Sequence, residues 1–75
     1  MDEHIISVAQ NALGMSKAEI EKYNQYIPEI DAYYIWQAER GGRSIIVNKH
    51  GERLIANSSI DYDRHVSAFV NGKRN

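Results

Sequence analysis

Hydrophobic residues change their spacing twice along this chain, and the changes divide it into elements. Ile5, Ile6, Ala9, Ala12 and Leu13 recur at helical spacing, with Asp2 and Glu3 placed where a helix dipole favours acids. The pattern predicts a helix over residues 2–13, stopped by Gly14 as a left-handed residue. Ser16-Lys17-Ala18-Glu19 is a capping box, and Met15 and Ile20 flank it as a hydrophobic staple. A second helix is expected to run from there to about Tyr26, burying Ile20, Tyr23 and Ile27, until Pro28 forbids continuation. Beyond Pro28 the helical period is lost. Three strands are expected, over Ala32–Ala38, Arg43–Asn48 and Glu52–Ala56, joined by turns at Glu39-Arg40-Gly41-Gly42 and Asn48-Lys49-His50-Gly51. Helical spacing returns with Tyr62, Val66, Phe69 and Val70, capped by Ser58 with Asp61 or by Ser59, and ended by Asn71-Gly72. Residues 73–75 read as a flexible polar tail.

The expected architecture is a single small α+β domain over residues 1–75, of order ααβββα. Its sheet is a three-stranded antiparallel meander packed with three short helices. A half-covered strand alternates apolar and polar side chains. Here Tyr33, Tyr34, Ile35 and Trp36 are consecutive, as are Ile45, Ile46 and Val47, so both faces of the sheet call for cover. The helical hairpin can take one face and the last helix the other. If instead all three helices share a face, residues such as Tyr34, Trp36, Ile46 and Ile55, or the set of opposite parity, stand exposed as an interface.

Composition narrows the possibilities. A 75-residue domain without cysteine has neither a disulfide nor a thiolate zinc site to support its core, which leaves self-association as the available supplement. No apolar run is long enough to span a bilayer, and the acidic start MDEHIISVAQ is unlike a secretory signal, so a cytoplasmic location is expected. Residues 1–38 carry a net charge of −4 and residues 39–75 a net charge of +3.

Catalytic chemistry is thinly represented. Asp61 and Asp63 belong to a helix start, Ser58 and Ser59 to its cap, and His65 reads as a surface or boundary residue. Gly41-Gly42 lacks the following helix of a phosphate-cradling loop. No enzyme, metal or cofactor is expected. The reading that fits is a binding module, self-associating or serving a protein partner through a sheet face or edge made by Tyr33, Tyr34, Trp36, Arg40 and Arg43. The alternative is a weak single-stranded nucleic-acid binder using Arg40, Arg43, Lys49 and Arg53 beside the strand aromatics. The acidic N-terminal half argues against phosphate.

The run GGRSIIVNKHGERLIANSSIDYDRHVSAFVNGKR, with its glycine-turned hairpin, Ser-Ser cap and Phe69-x-x-Gly72-x-Arg74 ending, resembles small single-domain proteins of Gram-positive bacteria and their phages. The resemblance implies a bacterial origin and a small α+β fold. That group has no assigned activity, so it implies no functional residue.

Overall fold

The computed structural model describes residues 1–75. Helix α1 (Glu3–Leu13) starts where the Asp2 carboxylate accepts the His4 N–H at 2.8 Å and stops at Gly14, whose φ of 67° is left-handed. The Ser16/Glu19 capping box forms with both of its hydrogen bonds and opens α2 (Lys17–Lys22). There the expected path is overturned. Helix α2 ends at Lys22, and Asn24–Ile27 form a strand, β1, where continued helix was expected. The Asn24 side-chain amide donates to the carbonyls of Ile20 and Glu21, at 3.0 and 2.9 Å, and so closes the helix early. The chain then extends through Ile27 to Pro28, as the residue before a proline prefers.

The order is therefore α1, α2, β1, β2 (Ala32–Trp36), β3 (Ser44–Asn48), β4 (Arg53–Ala56), α3 (Tyr62–Val70). The sheet is an antiparallel meander of four strands in sequential order, not three. Helix α3 also starts later than expected. Asp61, not Ser58 or Ser59, is its N-cap and accepts the Arg64 N–H at 2.9 Å. The Asn57 carboxamide oxygen instead holds Ser59 in a local turn, a competing use of short polar side chains.

Register settles which residues share a face. Ile35, Ile45 and Ile55 lie side by side and meet Ile5, Ala9, Leu13 and Ile20 from α1 and α2. On the opposite face Tyr34, Ile46 and Leu54 lie side by side, and Ala32 and Ile46 pack with Phe69 of α3. The helices thus divide between the two faces. Residues 73–75, expected as a free tail, lie against β4: the Asn75 carboxamide accepts from the Ile55 N–H at 2.9 Å and donates to the Ile55 carbonyl at 3.0 Å.

Candidate functional site

Helix α3 packs over β3 and β4, and so leaves the β1–β2 half of its sheet face to aromatic side chains. Tyr34 and Trp36 are two residues apart on β2 and therefore project on the same side. Their rings stack at 5.7 Å between centroids with a 30° interplanar angle. Tyr62, in the first turn of α3, meets Tyr34 edge-on at 4.9 Å, and its hydroxyl accepts from the Gln25 amide at 3.4 Å. Tyr34, Trp36 and Tyr62 are each only partly buried. A groove of about 310 Å³ opens beside them, between the β2–β3 turn and the start of α3, with Gln37, Arg43, Ser44, Ile60 and Asp61 among its lining residues.

The turn that forms one wall is held by its own chemistry. Any Cβ on Gly42 would lie 2.7 Å from the Gln37 carbonyl oxygen, so only glycine lets the chain pass. The Gln37 side chain accepts the Arg43 N–H at 2.8 Å and donates to the Leu13 carbonyl at 2.7 Å, which ties the turn to the end of α1.

Behind Ser44, one of the groove's lining residues, sits His65, fully buried rather than at the surface or boundary as expected. Its Nε2–H donates to the Leu54 carbonyl at 2.6 Å, and its Nδ1 accepts from the Ser44 hydroxyl at 3.0 Å. Burial pushes its pKa below the ordinary histidine value, and the Leu54 hydrogen bond partly opposes that shift. A serine bonded to an imidazole has the parts of a nucleophile and base. Here, though, both residues are buried and the imidazole is oriented by a neutral carbonyl, which offers no charge to an imidazolium. The pair pins α3 to β3 and β4. No buried side-chain nitrogen or oxygen in the molecule lacks a partner.

The structure separates the residues first grouped as one surface. Tyr33 points to the other face, where its ring lies 5.0 Å from that of Tyr26 and packs on the aliphatic core. Arg43 extends its guanidinium to the Ala12 carbonyl at 3.0 Å, as a cap on α1, and Arg40 is exposed in the turn. The four cations of the nucleic-acid reading do not converge. Arg40 and Arg43 flank one end of β3, and Lys49 lies past its other end, about 20 Å from Arg43 at the rise of an extended strand. Lys49 pairs with Asp31 at 3.3 Å, and Arg53 donates to the Asn75 main-chain oxygen at 3.2 Å. Asp61 is occupied as a cap, and no three histidine, aspartate or glutamate side chains gather in a metal-binding group. No helix is long and apolar enough to cross a membrane.

Gln25 was hidden in the supposed helix, and Tyr62 and His65 did not stand among the candidate site residues. Tyr62, His65, Val66 and Phe69 in fact stand at i, i+3, i+4 and i+7, the spacing of one helix face. That spacing was the available signal. Comparison of the chain with protein-family models, with curated proteins and with solved structures finds no match, so its functional reading rests on this geometry.

Proposed function

We propose that the protein is a non-enzymatic binding module that engages another protein through the aromatic half of the α3 face. The observation that carries this reading is the stacked, half-open cluster of Tyr34, Trp36 and Tyr62 beside a groove that α3 does not cover. Tyrosine and tryptophan give large contact areas for little lost side-chain freedom, and they are enriched among residues that dominate binding energy. The groove is of a size to accept one or two apolar side chains. Its rim carries Glu39, Arg43 and Asp61, a mixed set that suits a protein surface better than a phosphate backbone. Partners already held by Arg43, Lys49 and Arg53 weigh the same way.

A photo-crosslinking amino acid placed at Ser58, an exposed residue on the groove's rim, tests the proposal in cells that make the protein. The expected result is a discrete protein adduct that disappears when Trp36→Ala is added, and no adduct from the same probe at Ser7 on the exposed side of α1. Equal adducts from both positions, or adducts indifferent to Trp36→Ala, would contradict it.

A further inference from the structure

The two edges of the sheet are finished differently. In an antiparallel ladder, alternate residues of a strand bond to each neighbour. Main-chain bonds from Trp36 N–H to the Tyr23 carbonyl (3.2 Å) and from Gln37 N–H to the Arg43 carbonyl (2.9 Å) fix that alternation on β2. Gln25 and Ile27 of β1 therefore bond inward to β2, and Asn24 and Tyr26 point their N–H and C=O groups out of the sheet. On β3 the bond from Asn48 N–H to the Glu52 carbonyl (3.1 Å) fixes the alternation likewise, so Arg53 and Ile55 point out of β4. On β4 those groups are taken: Asn75 accepts from and donates to Ile55, and its own N–H reaches the Arg53 carbonyl at 3.4 Å. On β1 nothing in the chain takes them. An open edge of this kind is a template for a further strand.

We infer that the β1 edge pairs with β1 of a second copy, antiparallel about a twofold axis at Gln25, to make one continuous eight-stranded sheet. Only residues that face outward can bond across the join. With the axis at Gln25, Asn24 of each copy meets Tyr26 of the other, and all the free groups of both edges are used. An axis at Tyr26 would set Asn24 against Pro28, which has no N–H to give. The edge is bounded by α2 on one side and Pro28 on the other, so it suits a partner equally short. Charge agrees with the antiparallel sense. That sense brings the end of α2, with Lys22, beside the Pro28-Glu29 end of the second copy's strand, and neither Lys22 nor Glu29 has an ion-pair partner within the chain. The pairing draws on the edge and not on the aromatic groove, so either proposal can fail alone.

The test uses the absence of native cysteine. Gln25 of the two copies would form a pair without cross-strand hydrogen bonds, with Cα atoms about 4.5 Å apart, inside the range a disulfide bridges. Gln25→Cys should oxidise to a covalent dimer at least about tenfold faster than Ser67→Cys on the exposed side of α3, because pairing raises its effective concentration. Light scattering of the wild type should show monomer passing to dimer as concentration rises. Tyr26→Pro, which removes an outward N–H and leaves the bonds to β2, should stay monomeric with an unchanged circular dichroism spectrum. If that variant fails to fold, the cysteine pair decides the matter. A monomer at every concentration, a dimer indifferent to Tyr26→Pro, or cross-linking of Gln25→Cys no faster than the control would overturn the inference.

Discussion

The two faces of the sheet are both covered, but by unlike chemistry. Beneath α1 and α2, Ile35, Ile45 and Val47 meet Ile5, Ile6, Ala9, Leu13 and Ile20 in an aliphatic layer closed to water. Beneath α3 the buried apolar set shrinks to Ala32, Ile46 and Phe69, and Ser44 and His65 fill the space with a hydrogen-bonded pair. Beside that pair the cover ends, and Tyr34, Trp36 and Tyr62 meet solvent with part of their surface. One face supplies most of the stability through non-directional burial. The other trades burial for oriented groups and an open aromatic surface.

Substitutions should separate the two faces by size of effect. Ile45→Ala, in the aliphatic layer, should cost about 2–5 kcal/mol of unfolding free energy, the range for a large-to-small change in a core. A loss below about 1 kcal/mol in urea unfolding would mean that this layer is not the main support. Ser44→Ala should cost about 1–3 kcal/mol, because it leaves the buried Nδ1 of His65 without its donor.

The same pair predicts a dependence on pH. The pKa of His65 lies below the ordinary 6.5 in the folded protein, so as pH falls the unfolded chain takes up a proton first. This contribution is therefore complete above pH 6.5 and is lost progressively from there down through the folded pKa of His65. Unfolding midpoints measured down this range should decline in the wild type and decline less in His65→Gln; parallel curves would remove His65 from the account. Asn75→Ala should have the smallest effect on stability, about 1 kcal/mol or less for exposed hydrogen bonds, and should be visible chiefly as faster amide exchange at Ile55. Unchanged exchange at Ile55 would mean that the β4 edge is no better closed than the β1 edge.

Elements set by local chemistry were legible in the sequence. The Ser16–Glu19 capping box and the stop at Gly14 act within one helical turn, and both formed where the residues required. The strand Asn24–Ile27 was not legible. Asn-Gln-Tyr-Ile shows no alternation, and its extended form depends on pairing with β2 and on the Asn24 cap, which arise only in the folded chain. The start of α3 was misplaced because Asn57 draws Ser59 into a turn before Asp61 can cap. For the site, Tyr34 and Trp36 could be seen as a pair of the same parity, but Tyr33 had to be assigned to the other face by the register. The burial of His65 was written in its spacing from Tyr62 and Phe69, and the expectation that histidines stay near water hid it.

Trp36 is the only tryptophan, so its fluorescence reports on the aromatic half-face alone. Quenching of that emission by acrylamide, in the native protein and in urea, tests most directly whether this surface is open. The native quenching constant should be a substantial fraction of the unfolded value and change little between dilute and concentrated samples, because the β1 pairing leaves the face uncovered. Native emission shielded from the quencher at every concentration would contradict it and place Trp36 in the core.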